Sequence, residues 1–359
     1  MRISKTVGQY YFDCGSIDPL RHIVAERQAV EPGPAVYLID GFFAGSDYAA
    51  RLPLNDGDAM LFVDTGTEPT TAGIDALTAA TLVACGRPPA VVIGIGGGAT
   101  LDSAKAVSNL LSNGGKAADY QGWDLLRVPG VFKVGVPTLS GTGAEGSRTC
   151  VMMNFEKNLK LGMNSDHTVF DRLVLDPDLT ASVPRDQYFH TGLDTYIHCI
   201  ESIGGSYRHA VADAYSMQAL ALCREVFLDG DMQRPEARKQ LMVASFLGGS
   251  AIGNSFVGVV HPLSAGLSMV LHLRHCVANC IVMAVMEEFY PRETEEFHRM
   301  LAAQGISLPA RVTAGLADAD FDALYGASII HEKPLANALG PDFKSILTRD
   351  KVRELFSRM

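Results

Sequence analysis

Asp194 and His198 stand four residues apart in the run T-G-L-D-T-Y-I-H-C-I-E-S, residues 191–202. The run reads as helical, and side chains four apart share one face of a helix. A carboxylate and an imidazole one turn apart can grip the same divalent cation. His261 and His275 follow downstream, each beside another helical run. One carboxylate and three imidazoles suit Fe²⁺, Zn²⁺ or a similar metal and leave a position open for substrate. The pair alone reads equally as a solvated Asp and a packed His, and a lone His beside apolar residues is usually a satisfied core or surface residue. Completeness of the four-residue set favours the metal. His272, three before His275, lies one turn away if that segment is helical, and is then either a proton relay or simply exposed.

Two glycine-rich stretches carry a second kind of chemistry. G-I-G-G-G-A-T-L-D-S-A-K, residues 94–105, follows a Val/Ile run and opens a helix. Glycines there let backbone N–H groups approach a phosphate, and the helix N-terminus adds its positive dipole end. Gly97 and Gly98 are the candidate phosphate contacts. The spacing is not the usual G-x-G-x-x-G, and one or two glycines would serve a simple tight turn. Asp102 is either part of this loop or an early-turn partner of the helix dipole. P-T-L-S-G-T-G-A-E-G-S, residues 137–147, follows another apolar run. Thr138, Leu139, Thr142 and Ser147 are its candidate nucleotide contacts, on the other side of one dinucleotide cleft. Asp40 ends an earlier strand-like run. It is either a turn residue before Gly41 or the acid that holds ribose hydroxyls and repels a 2′-phosphate, which favours NAD over NADP.

The elements that must position these residues divide the chain in two. Residues 35–39, 59–63, 89–95 and 131–136 are short apolar runs alternating with helix-like segments, such as residues 72–85. Buried strands alternating with helices predict an α/β nucleotide-binding domain with a mostly parallel sheet, over residues 1–184. From about Pro184 the texture becomes Ala-, Leu- and Met-rich with helical spacing, over residues 187–203, 209–227 and 235–253. That predicts an all-α domain over residues 185–359. The last dozen residues read as a short amphipathic helix.

Composition narrows the function classes. The 359 residues are 47% hydrophobic and 19% charged, enough for two sizeable cores and too apolar for disorder. A net charge of −10 without a basic stripe makes nucleic acid a poor partner. No apolar run reaches membrane-spanning length, and the first twelve residues lack the apolar core of a secretory signal. Seven scattered cysteines without a C-x-x-C pair suit a reducing cytoplasm.

Taken together the motifs resemble the metal-dependent group III alcohol dehydrogenases, often called iron-containing. The family's G-G-G-S-x-x-D-x-x-K, which binds pyrophosphate, corresponds to residues 96–105. Its P-T-T-x-G-T-x-x-E corresponds to residues 137–145, and its G-x-D-A-x-x-H-x-x-E to residues 192–201. Its H-G-V-A-N-A-I corresponds to H-C-V-A-N-C-I from His275. The resemblance covers nearly the whole chain. It implies the dehydroquinate synthase-like fold, Asp194, His198, His261 and His275 as ligands of Fe²⁺ or Zn²⁺, Lys160 near the cofactor, and NAD(P) with NAD preferred. Three departures mark the pocket. Ala265 stands where the family usually has a histidine between the two late ligands. Arg274 stands where it usually has Pro before the last ligand, and Glu68 replaces an Asn before Pro69-Thr70.

Within the family, the likeness is to members that oxidise C8 of the sugar acid 3-deoxy-manno-octulosonate for lipopolysaccharide sugars. The expected substrate is therefore an acidic sugar or another polyol, with Arg274 as its carboxylate partner and Arg148 in reserve. The expected assembly is a homodimer. A dehydroquinate-synthase-type carbon–oxygen lyase usually has Glu where this chain has Asp194. A non-catalytic nucleotide sensor would not need a complete ligand set.

Overall fold

The computed structural model describes residues 5–15 and 17–359. The signal-peptide reading rests partly on residues 1–4, which lie outside these. The chain forms two compact units. The first takes in the chain to Ser140, Ala144–Lys157 and Leu161–Ser182; the second is Gly141–Gly143, Asn158–Lys160 and Val183–Met359. A single cut in the sequence does not reveal the two short pieces, 141–143 and 158–160, that belong with the later unit.

The first unit holds nine strands, of which Leu159–Asn164 starts in the 158–160 piece of the second, and four α-helices among the described residues. In chain order they are β1 (Gln9–Phe12), α1 (Leu20–Val30), β2 (Ala35–Asp40), α2 (Asp47–Ala50), β3 (Ala59–Val63), α3 (Thr71–Cys85), β4 (Val91–Gly96), α4 (Gly98–Asn113), β5 (Gly122–Trp123), β6 (Phe132–Pro137), β7 (Thr149–Asn154), β8 (Leu159–Asn164) and β9 (Arg172–Leu175). Six strands make one sheet in the order β1-β9-β6-β4-β2-β3, with every described pairing parallel. β4 is buried along its length and β2 nearly so, as strands covered on both faces must be. One apolar cluster, with Val36, Val92 and Val107, and another, with Tyr37, Ile93 and Val134, supply the unit's cores.

The four strands read from the sequence are β2, β3, β4 and β6. The structure adds β1 and β9 to that sheet and places β5, β8 and β7 in a second, three-stranded one. The added strands are short, exposed (QYYF) or Met-rich (TCVMMN, LKLGMN), without the Val/Ile run that marks a buried strand.

The second unit is helical: α5 (Arg185–Gly204), α6 (Ala210–Leu228), α7 (Pro235–Asn254), α8 (Val260–Leu271), α9 (His275–Met283), α10 (Pro291–Gln304), α11 (Asp318–Ile329), α12 (Glu332–Leu339), α13 (Phe343–Ile346) and α14 (Arg349–Ser357). α5 is buried on all sides from Tyr188 to Ser202. A Cβ at Gly192 would meet Phe227 at 2.6 Å and Leu241 at 2.8 Å, so glycine there lets α5 approach α6 and α7. The fold class is thus a parallel-sheet α/β unit and an all-α unit. Among the described residues no helix is long and apolar enough to cross a membrane.

Candidate metal centre and nucleotide loops

α5 carries Asp194 and His198 on one face, α8 begins one residue before His261, and α9 begins at His275. Three helices thereby aim four side chains at one point. Asp194 is fully buried. Its Oδ1 lies 3.6 Å from His198 Nε2 and 3.2 Å from His261 Nε2, and its Oδ2 lies 3.5 Å from His275 Nε2. The His198 and His261 rings stack at 4.7 Å. Asp194, His261 and His275 each offer a ligand atom within 4.8 Å of the others.

The surrounding hydrogen bonds set the polarity of this cluster. Glu201, one turn beyond His198 on α5 and fully buried, accepts from Val260 N (2.5 Å) and from His261 Nδ1. With Nδ1 donating to Glu201, Nε2 is the His261 nitrogen turned toward Asp194, and it is the atom whose lone pair a bound cation would take. Asn279 Nδ2 donates to Asp194 Oδ1 at 2.7 Å and lies 3.2 and 3.3 Å from Nε2 of His261 and His275. One carboxylate oxygen and two imidazole nitrogens therefore gather around the Asn279 amide, close enough to one another to share a cation. The donor set, one carboxylate and imidazole nitrogens, fits Fe²⁺ or Zn²⁺. Cys276 Sγ donates to Asp194 Oδ2 at 3.6 Å.

Electrostatics follow the same logic. Burial pushes the Asp194 carboxyl up, but His198, His275 and His261 more than offset it and hold it below the ordinary carboxylate range. Burial drives His198 down to about 4 against the pull of Asp194. Burial also lowers His261, yet Glu201 and Asp194 prevail and raise it to about 9.

In the α/β unit, Gly97 is the residue before α4 and Gly98 its first residue, and no side chain caps the helix. The first-turn N–H groups are left for another acceptor, as an anion site needs. A Cβ at Gly96 would lie 2.6 Å from Thr100 and 2.9 Å from Asp40, and one at Gly97 would lie 2.6 Å from Leu139 Cδ1. Thr138 N donates to Gly96 O at 3.0 Å. Asp40, Gly97, Gly98, Thr138 and Leu139 thus gather at the carboxyl ends of β2, β4 and β6, where open α/β sheets bind ligands. Asp40 also serves its own turn: Oδ1 accepts from Phe42 N (3.0 Å) and Thr65 Oγ1 (2.9 Å).

The structure places the other residues expected at the cofactor or substrate as follows. Asp102 and Ser147 brace the interior: Asp102 Oδ2 accepts from Val151 N at 2.9 Å, and Ser147 Oγ lies 3.2 Å from Lys105 Nζ. Lys105 is fully buried and also donates to Ser147 O and Thr149 O, and an ammonium so placed must be met by oxygens. Thr142 and Lys160 fall in the helical unit. The loop carrying Thr142 is held there by Ser245 Oγ, which accepts from Gly141 N at 2.7 Å, and by Thr195 Oγ1, which donates to Gly141 O at 2.9 Å. Lys160 Nζ donates to Ser268 Oγ at 3.4 Å. His272 is exposed and sits in the left-handed region (φ 56°), ending α8. It is not one helical turn from His275, because the chain breaks between α8 and α9. Arg274 is exposed at the N-terminal cap of α9 and makes no ion pair among the described residues. Arg148, the reserve carboxylate partner, is already engaged with Asp166 (2.9 Å) and Asp124. Glu201 stood in a quoted motif without a role, and Asn279 lay in another; only contacts show that one orients His261 and the other Asp194.

A family model described as iron-containing alcohol dehydrogenase matches residues 8–177, and one described as the Fe-containing alcohol dehydrogenase family, C-terminal, matches residues 188–321. The sulfoacetaldehyde reductase of Bilophila wadsworthia is 34% identical over 192 residues, 52% of this chain and 49% of that protein. Alcohol dehydrogenase 4 of Saccharomyces cerevisiae is 30% identical over 200 residues, 55% of this chain and 52% of that protein. The chain spans about half the length of these two curated relatives. A sulfoacetaldehyde reductase from Bifidobacterium kashiwanohense, solved in complex with NAD+, has the same fold, with a TM-score of 0.80 at 20% identity over 99% of this chain and 98% of that one. An alcohol dehydrogenase from Oenococcus oeni gives 0.83 at 18% identity over 99% and 100%. With models for both parts of one family matched in order along most of its length, the chain belongs to the iron-containing alcohol dehydrogenase family.

Proposed function

We propose that the protein is a metal-dependent, NAD-linked alcohol dehydrogenase that oxidises a primary alcohol to an aldehyde, and that its substrate is a sugar acid, 3-deoxy-manno-octulosonate, oxidised at C8. The observation that carries the reading is the convergence of three imidazole Nε2 atoms on the two oxygens of a fully buried carboxylate. Asp194, His198, His261 and His275 would hold the cation. A divalent cation there supplies Lewis acidity toward an alcohol oxygen, and NAD supplies the hydride acceptor. Glu201 fixes the His261 tautomer, and Asn279 orients Asp194. Gly97 and Gly98 leave open backbone N–H groups at the start of α4 for the pyrophosphate, and Asp40 favours the cofactor without a 2′-phosphate.

Three features support an acidic polyol. Arg274 is exposed directly before His275, Ala265 takes little room on the helix that carries His261, and one relative is named for an anionic aldehyde. The motif likeness points to the same class. The test is metal analysis of protein purified without oxygen, followed by NADH formation with 3-deoxy-manno-octulosonate and with neutral alcohols. Sugar-acid-dependent NADH formation is expected. Formation with neutral alcohols alone would remove the sugar acid, and none with Fe²⁺, Zn²⁺, Co²⁺ or Mn²⁺ would remove the dehydrogenase.

A further inference from the structure

A sulfur atom also reaches the metal centre. Asp194 is fully buried, and each of its carboxylate oxygens faces two candidate metal donors. Oδ1 faces Nε2 of His198 at 3.6 Å and Nε2 of His261 at 3.2 Å. Oδ2 faces Nε2 of His275 at 3.5 Å and Sγ of Cys276 at 3.6 Å. The thiol therefore stands to Oδ2 as the last imidazole does. Two donors on one cation are held apart by their own bond lengths. With metal–sulfur and metal–oxygen bonds of about 2.3 and 2.0–2.2 Å at a tetrahedral angle, sulfur and oxygen lie about 3.5 Å apart. The spacing of Cys276 and Asp194 is already of that size.

His275 and Cys276 are the first two residues of α9, and the thiol is half-buried. Neighbours on a helix point apart, so both reach one carboxylate only because α5 brings Asp194 up to the first turn of α9. That first turn also favours negative charge on the sulfur. Cys280, one turn further along α9, is fully buried and donates to the backbone carbonyl of His190 at 3.8 Å instead. The family motif aligned with this segment has Gly in place of Cys276, and glycine offers no donor atom. Asp194, His261 and His275 form the trio whose ligand atoms all lie within 4.8 Å of one another. His198 and Cys276 join that trio through Asp194, one at each oxygen.

We infer that Cys276 is a further, sulfur donor to the cation held by Asp194 and the three histidines, and that it tilts the site toward Zn²⁺ and away from Mn²⁺. The inference rests on the metal-dependent reading and adds to it a residue that selects the metal. Without a cation the S–H donates to Asp194. On binding, the sulfur lone pair goes to the cation and the thiol proton leaves to solvent. A soft thiolate suits Zn²⁺, whereas Mn²⁺ prefers oxygen.

The experiment uses full-length protein stripped of metal and reloaded without oxygen. It compares wild type, Cys276→Ser, Cys276→Gly and, as a control on the exposed surface, Cys14→Ser. Two things are read: the absorption spectrum with one equivalent of Co²⁺, and the Kd for Zn²⁺ and for Mn²⁺ by competition with a chelator. Wild type is expected to show a near-ultraviolet sulfur-to-cobalt charge-transfer band beside the visible cobalt bands. Both variants at 276 are expected to lose the charge-transfer band and keep the visible ones, while Cys14→Ser keeps both. The Kd for Zn²⁺ is expected to rise about tenfold in the variants at 276, and that for Mn²⁺ by less than about threefold. Visible cobalt bands without a charge-transfer band in wild type would overturn the inference, whatever the variants do. A charge-transfer band that survives in both variants would overturn it by placing the sulfur elsewhere. Equal rises in both Kd values would overturn the metal preference. A wild type that takes up neither Zn²⁺ nor Co²⁺ refutes the metal centre itself, and this inference with it.

Discussion

Replacing Glu201 by Gln tests whether the metal centre is built from four ligands alone or from ligands held in a chosen protonation state. Glu201 is fully buried and uses both oxygens: Oε1 on Val260 N–H and Oε2 on His261 Nδ1–H. Glutamine keeps the shape but has one acceptor and one donor end. If its oxygen stays on Val260, its NH₂ faces His261 Nδ1, which must then lose its proton. The proton moves to Nε2, the atom 3.2 Å from Asp194 Oδ1, and the lone pair that would meet a cation is gone. If the amide flips, a buried Val260 N–H faces another donor and costs about 1–3 kcal/mol. Either way the loaded state suffers. Partners of this kind usually carry about 10–100-fold in metal affinity, roughly 1.4–2.7 kcal/mol. The assay is competition for Zn²⁺ with a chromophoric chelator, alongside thermal unfolding of the metal-free protein. The expected result is a Kd for Zn²⁺ raised about tenfold or more, beyond what lower apo stability explains. A Kd within about threefold of wild type, with a clearly lowered Tm, would refute the tautomer argument and leave Glu201 as a helix tie.

Further outcomes follow from particular contacts. Gly97→Val should abolish NAD+ binding, since its Cβ would fall 2.6 Å from Leu139 Cδ1 and its branches would fill the loop mouth; cofactor titration equal to wild type would move the phosphate site elsewhere. Arg274→Ala should raise KM for 3-deoxy-manno-octulosonate roughly thirtyfold, about 2 kcal/mol, while leaving 1-propanol oxidation almost unchanged; equal losses on both would assign Arg274 to metal-site support. Lys133 tests a buried ammonium in the sheet. Burial lowers its pKa to about 8 against the pull of Asp171, so the unfolded chain binds more protons between pH 8 and the ordinary lysine value of 10.5. Its contribution therefore becomes more favourable as pH rises through that window, by at most about 3 kcal/mol. Lys133→Met should lose this slope, and chemical denaturation of wild type and variant at pH 7 and pH 10 should show their stability difference shifting toward wild type at the higher pH; a constant difference would deny the burial cost.

What the sequence could tell divides along the line between periodicity and direction. Asp194 and His198 were legible because four-residue spacing on one helix leaves little freedom about the face they share. The strand-to-helix turn at Gly97 and Gly98 was legible because successive glycines at the end of a Val/Ile run have few physical uses. His261 and His275 came from likeness to a family, since no spacing rule joins three separate helices. Side-chain direction was not legible. Asp102 and Ser147 sit beside the glycine loops in sequence but turn inward, because Lys105 is buried between them and its charge demands oxygens. His272 lies in H-L-R with no glycine or proline to announce a break, yet the chain turns left-handed there and takes His272 off the helix that carries His275.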